Sequence, residues 1–252
     1  MTLNFAPQTA FIFMLIFARV GTMLMVLPAF GERGVTSRQR LALALVLTLV
    51  LYPLISGELE TLPEGIFQAM RLVAIEIGTG LFIGASVRLV MSALQVAGTV
   101  IAMQTGLGFA QNVDPAQGVQ SALFASFMSL TAITLIFVMD LHHLLLAAIV
   151  DSYTIFKPGA LVPVGDFAKM ALSTVSASFV VAVQMSAPFL VFGLVFYMGV
   201  GVLSRLMPQA QIFFVALPVN ILAGFVLFMF LMTAIMGWFL GHFESALAPY
   251  LN

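Results

Sequence analysis

Gln104-Thr-Gly-Leu-Gly-Phe-Ala-Gln-Asn-Val-Asp-Pro-Ala-Gln-Gly-Val-Gln120 is the long interruption, free of charge clusters, in a chain that is otherwise almost continuously apolar. Gly106, Gly108 and Gly118 allow backbone angles that other residues resist. Pro115 withholds a backbone donor and pushes Asp114 away from helical angles. Gln104, Gln111, Asn112 and Gln120 bring polarity without charge, and apolar helix candidates flank the segment on both sides. Irregular backbone beside membrane spans must be buried in protein, line a watery path or lie outside the lipid, because lipid cannot satisfy its amides. The residues leave two readings open: an ordinary extramembrane connector, or a segment that sits in a permeation path and helps close it.

The flanks decide the class. Of 252 residues, 62% are hydrophobic and 8% charged, and the mean hydropathy is +1.15. Soluble domains carry roughly 25% charged residues, so a water-soluble fold of this size has no way to hide so much apolar surface. The chain reads as an all-α integral membrane protein of about six long apolar helices, several broken by Pro or Gly. Nine basic against ten acidic residues give a net charge of −1, which argues against a nucleic-acid partner. Cysteine is absent, which excludes disulfides and thiolate metal sites. Met1 to Pro7 holds no Lys or Arg, so the first apolar stretch is expected to be retained rather than cleaved as a signal peptide.

The first stretch runs from about Ala10 to Phe30 and carries Arg19, a charge that must face protein or water, or snorkel toward the Arg33 end. Pro28 is expected to kink or end it. Glu32, Arg33, Arg38 and Arg40 form the most basic segment. A second stretch, Leu41 to Ile55, looks short for a span. A glutamate-bearing loop (Glu58, Glu60, Glu64) precedes a third stretch, Ile66 to Val90, with Arg71, Glu76 and Arg88. Gly80 and Gly84 have the small-xxx-small spacing of close helix packing. Met91 to Met103 reads as a weaker helix leading into the quoted segment. A fourth stretch spans Ser121 to Val150. The fifth, Met170 to Leu203, is divided by Pro188; Arg205, Pro208, Gln209 and Gln211 form a tight polar tip before the sixth, Ile212 to Leu240. If six spans alternate, Arg33, Arg38, Arg40, Arg88 and Arg205 fall on the cytoplasmic side and both termini are periplasmic.

The nearest thing to a reactive cluster is Asp140, His142 and His143, with Asp140 and His143 on one helix face at i, i+3. Such a pair can relay protons, and His can hold a metal. A metal site wants three or four ligands, and no partner His occurs before His242, so a polar helix end that bonds neighbouring chains is the plainer reading. Glu76 with Arg71 or Arg88 is another transport-pair candidate; the Arg71–Glu76 spacing points instead to a partner on another helix. No catalytic triad pattern, phosphate loop or His-Glu-x-x-His helix occurs. No enzyme activity, cofactor or metal is expected. The sixteen Met residues suit a surface that seals and reshapes.

Runs in matching order carry a family likeness: Arg19-Val-Gly21 through Pro28-Ala-Phe30, Arg40-Leu-Ala-Leu-Ala44 and Tyr52-Pro53; Gln104 to Phe109 with Val113-Asp-Pro115; and Asp140-Leu-His-His-Leu-Leu-Leu146 with Asp151-Ser-Tyr153. On these runs the chain resembles the FliR/SctT family, the export-gate proteins of flagellar and virulence type III secretion. Family members often show Gly where this chain has Leu141. Val180 to Phe243 also resembles the two-helix subunit FliQ, through Ala187-Pro-Phe-Leu190, Gln209-Ala-Gln-Ile212 and Leu217-Pro218. The resemblance implies a FliP-like part at 1–170 containing a plug loop at about 104–120, and a FliQ-like hairpin and tail at 171–252. It further implies one such chain with about five FliP and four FliQ in the bacterial inner membrane, inside the flagellar basal body, with FlhB and FlhA nearby and unfolded substrates passing through. The gating residues it implies are Met103, Gly106, Gly108, Phe109, Asn112, Asp114, Pro115 and Gly118, with Phe109 as a gasket and the glycines as hinges. The competing expectations are a stand-alone secondary transporter using Asp140/His143 or Glu76, a virulence-system homologue, and a purely structural nucleator with an incidental loop.

Overall fold

The computed structural model describes residues 5–32, 34–58, 63, 65–109, 122–160, 164–207 and 212–251. Eight α-helices occur among them: α1 (Phe5–Val26), α2 (Ser37–Ile55), α3 (Ile66–Val90), α4 (Ser92–Gln104), α5 (Ala122–Val138), α6 (Leu141–Ile155), α7 (Val164–Leu206) and α8 (Ile212–Leu247). Short 3-10 turns lie at Ser56–Glu58, Leu107–Phe109 and Ala248–Tyr250. Five stretches are long and apolar enough to cross a membrane, or six if the bent α5–α6 pair counts as one span. That agrees with the all-α membrane class expected from composition.

Several limits differ from the sequence expectation: α1 begins at Phe5 rather than Ala10, α7 at Val164 rather than Met170, and α8 runs to Leu247 rather than Leu240. Three further differences have a local reason. Helix α2 begins at Ser37, not Leu41, because Thr36 and Gln39 form a capping box. The Thr36 hydroxyl accepts from the Gln39 amide at 3.4 Å, and Gln39 Oε1 accepts from the Thr36 amide at 3.0 Å. The added turn gives 19 residues, or ~28 Å, close to the ~30 Å hydrocarbon core. The expected fourth stretch is two helices, with a 78° bend between them. Asp140 sits at the break with φ +60° and ψ 13°, a left-handed conformation that a right-handed helix cannot continue through. Conversely, Pro188 does not divide the fifth stretch: α7 runs 43 residues straight through it, ~65 Å at 1.5 Å per residue. A proline in a long apolar helix removes one hydrogen bond while the neighbouring turns keep theirs, which membrane helices tolerate.

The chain forms two compact units, each drawn from several segments. The first comprises residues 1–90, 136–174 and 244–252. In it α1 packs on α2 and α3, with Leu15, Ile16, Val20, Met23 and Leu24 buried on α1 and Ile83, Val87 and Val90 on α3. Close approach of α1 and α3 depends on glycine. A Cβ at Gly80 would lie 2.5 Å from the Arg19 carbonyl oxygen and overlap the Thr22 hydroxyl; one at Gly84 would lie 3.2 Å from the Met23 carbonyl oxygen. The second unit comprises residues 91–135 and 175–243. Its buried residues include Leu94, Ile101, Phe124, Met128, Phe189 and Phe228, with the Phe124 and Phe228 ring centroids 4.7 Å apart. Helices α4 and α5 touch backbone to backbone, a Cβ at Gly98 falling 2.5 Å from Ala125 Cα.

Candidate functional site

The structure unites two candidate residues that are 57 positions apart. Arg19 Nε donates to Glu76 Oε2 at 2.6 Å, and neither side chain is more than 1% exposed. Arg19 Nη1 donates to the carbonyls of Ser152 (3.0 Å) and Phe156 (2.9 Å), at the end of α6. Its guanidinium carbon lies 4.2 Å from the centroid of the Tyr153 ring. Tyr153 in turn donates its hydroxyl to the Ile16 carbonyl at 3.3 Å. Glu76 uses its other oxygen, Oε1, to accept the Gly159 amide at 2.9 Å, in a turn where Gly159 has φ +75°. One ion pair thus ties together α1, α3, the end of α6 and the following turn. The snorkelling alternative for Arg19 is excluded by its complete burial. Arg71 is exposed, and Arg88 donates instead to the Val26 carbonyl at 3.2 Å, so neither is the partner of Glu76. Arg19 Nη2 is buried without an acceptor among the described residues. Both Glu76 oxygens are engaged by donors, an arrangement suited to holding helices together rather than to passing protons.

The second site is the root of the quoted segment. Helix α4 ends at Gln104, Thr105 caps it, and Gly106 turns left-handed with φ +81°. The Thr105 amide donates to the Ile101 carbonyl at 2.9 Å and the Gly106 amide to the Met103 carbonyl at 3.3 Å. From α8, Asn220 Nδ2 donates to the Gln104 carbonyl (3.2 Å) and to the Tyr197 hydroxyl of α7 (3.3 Å). Because a carbonyl can only accept, the Asn220 amide must turn its nitrogen to Gln104. Asn220 Oδ1 is then left buried without a donor among the described residues, a penalty of about 1–3 kcal/mol. Glycines admit the root on both helices: a Cβ at Gly193 would overlap Gln104 Oε1, and one at Gly224 would lie 2.6 Å from Thr105 Cβ. Thr105 is fully buried. Met103 is exposed and its Cα lies 3.3 Å from where a Gly108 Cβ would stand; Gly108 and the Phe109 backbone belong to the 3-10 turn. Asn112, Asp114, Pro115 and Gly118 lie outside the described residues, as do Pro208, Gln209 and Gln211. Arg205 is exposed in the last turn of α7, where its charge complements the carbonyl end of the helix. Asn220, Tyr197, Gly193 and Gly224 were not singled out by sequence; the available signal was a lone Asn inside an apolar run, a residue type that serves as interhelical glue.

The third cluster lies at the α5–α6 break. Asp140 Oδ1 and His143 Nδ1 are 3.8 Å apart on exposed side chains. The His142 ring joins them, 4.1 Å from His143 centre to centre, so that ligand atoms of all three lie within 4.8 Å of one another. His142 Nδ1 is buried and has no hydrogen-bond partner among the described residues. Three donors fall short of the four that close a structural zinc site. His242 is in the other unit, 3.2 Å from the Ser178 hydroxyl. The left-handed residue here is Asp140 itself, while Leu141 is a buried first residue of α6, so the break does not depend on a glycine at position 141.

Comparison with known proteins places these sites in context. The model of the family described as bacterial export proteins, family 1, matches residues 10–246. The chain is 44% identical over 210 residues to the flagellar biosynthetic protein FliR of Caulobacter vibrioides, covering 83% of this chain and 84% of that protein. It is 30% identical over 230 residues to FliR of Bacillus subtilis (88% and 86% covered) and 28% identical over 218 residues to FliR of Escherichia coli (86% and 82%). Matched by one family over nearly its whole length, and similar to FliR proteins of three bacteria at this coverage, the chain belongs to the bacterial export proteins of family 1.

Proposed function

We propose that this chain closes the protein-export path of the flagellum with the segment that begins at Gln104. The chain is a multi-pass inner-membrane subunit of the flagellar export apparatus. The observation supporting the gating role is the root of the segment: Gln104 and Thr105 sit in a buried corner held on two helices, not in a loose surface turn. Irregular backbone entering a membrane protein this way must be covered by protein or line a watery path. In this reading the glycines beyond the root are hinges, Phe109 is a sealing side chain, and Asn112, Asp114, Pro115 and Gly118 belong to the moving part. The partners are FliP and FliQ, in a gate with one copy of this chain, about five FliP and four FliQ, and with FlhB and FlhA nearby. Residues 1–170 act as a FliP-like part and 171–252 as a FliQ-like hairpin. The cargo is unfolded flagellar protein, and the chain performs no catalysis.

Deleting residues 110–118, beyond the root, tests this. The assembled gate is expected to pass ions and small solutes that the native gate retains, measured as membrane leak in cells. A membrane as tight as with the native chain, at equal amounts of assembled complex, overturns the gating role and leaves an assembly role. The transporter alternative loses one of its two candidate sites, since Glu76 is committed to Arg19 and Gly159.

A further inference from the structure

We propose that Asn220 is the anchor of the gating segment, a positioning residue that holds its root, Gln104 to Gly106, fixed on the α7–α8 hairpin. This rests on the reading of the segment as the closing element.

The last carbonyls of any helix lack intrahelical donors, and lipid offers none. Gln104 carries one such carbonyl at the end of α4. Asn220 supplies the donor from α8 at 3.2 Å, and its second contact, with the Tyr197 hydroxyl, orients the amide between α7 and α8. The orientation serves the carbonyl at the expense of the side chain's own oxygen, which stays buried without a donor among the described residues. The asparagine is therefore placed for what it gives to the root. The glycines at 193 and 224 remove the side chains that would hold α7 and α8 away from Gln104 and Thr105. Thr105 is buried and bonded back to Ile101 at 2.9 Å. Moving the root out of this grip would strip the Gln104 carbonyl of its partner and open space around two glycines. Moving the chain after Gly106 does neither, since Gly106 already turns left-handed, at φ +81°. The corner is a fixed pivot, not a moving part.

The chain has no cysteine, so a single introduced pair reports without background. A Cβ at Gly193 stands 3.4 Å from Gln104 Cβ, just under the ~3.5–4.5 Å found in disulfides, and the Gln104→Cys change removes the carboxamide that fills the space. In cells with the full export complex, Asn220→Leu is expected to raise small-solute leak at least tenfold at native levels of assembled complex. Adding Gln104→Cys and Gly193→Cys is expected to return the leak to near the native value on oxidation, and to release it again on reduction. With Asn220 intact, the oxidised pair is expected to leave export within about twofold of native, because the root does not move. Should Asn220→Leu prevent assembly, Gly224→Ala carries the same expectations, since its methyl drives Thr105 off the hairpin. The anchor is overturned by an assembled, tight variant, by a leak that the disulfide does not close, or by export that stops on oxidation. If deletion of 110–118 leaks while the assembled anchor variants stay tight, the anchor alone fails. If that deletion stays tight, the gating reading fails and takes the anchor with it.

Discussion

Arg19 shows how a single residue in an apolar helix acquires a meaning that its neighbours do not give it. A charge in lipid must find protein, and here it finds a carboxylate, two carbonyls and an aromatic face. Such a pair is weak evidence of net stability compared with an apolar replacement, because both charges were desolvated to make it. Removing one partner is another matter, since the survivor stays buried and unpaired. Glu76→Ala or Arg19→Met is expected to destabilise the purified protein in detergent by about 3–5 kcal/mol, seen as a lowered Tm. Arg19→Lys is expected to fall well short of rescue, because one ammonium cannot hold the planar, forked geometry that reaches Glu76 and two carbonyls. The double change Arg19→Leu with Glu76→Leu is expected to lose less than either single change. Equal or additive losses would mean that the pair does not act as a unit. That Arg19 and Glu76 are unusual was legible in the sequence; that they are each other's partner was not, since they lie 57 positions apart and Arg71 and Arg88 stood nearer.

At the scale of the helix, glycines with the same local sequence context behave differently according to what faces them. Gly78 and Gly80 are two residues apart on α3, yet a Cβ at Gly78 would meet no side chain or other helix among the described residues within 4 Å, while one at Gly80 meets Arg19 and Thr22 of α1. Gly78→Ala is expected to be neutral or to stabilise by up to about 1 kcal/mol through helix propensity. Gly80→Ala must separate two helix backbones and is expected to destabilise by about 1–3 kcal/mol, as overpacking does. Thermal unfolding of the two variants side by side checks this, and a similar Tm for both would contradict the α1–α3 contact. The Gly80/Gly84 spacing announced a packed face, and the face exists. The helix limits were less legible. The capping box at Thr36 was present in the letters but hidden under a basic segment that read as loop. Pro188 read as a break but sits inside a continuous helix, because one missing bond is minor in 43 residues. The break that does occur, at Asp140, carries neither Pro nor Gly, and only the backbone reveals it.

For the molecule as a whole, the exposed surface is itself the argument for partners. Val191, Leu194, Val195 and Met198 on α7 and Met229 and Phe230 on α8 are all more than 60% exposed. Apolar faces of this kind must meet lipid or other chains. Co-expression of the tagged chain with FliP and FliQ, followed by native mass determination, is expected to yield one large complex of fixed ratio with a single copy of this chain. A monomer or homodimer despite ample partners would contradict the proposed gate and return attention to Asp140, His142 and His143, whose ligand atoms converge without a described fourth ligand.

Composition by itself settled that this chain lives in a membrane, because 62% hydrophobic residues cannot be buried in a soluble fold of this size. Motif order pointed to the family, and the spacing of Gly80 and Gly84 announced a close helix contact, because both are properties of neighbouring letters. Tertiary structure alone decided which charges pair and where the chain bends. It also decided which lone asparagine grips the Gln104 carbonyl. These depend on residues brought together from distant turns: Arg19 with Glu76, Asn220 with Gln104, Gly224 with Thr105. A buried donor is matched to its acceptor by the folded path of the backbone, and no local pattern encodes that path.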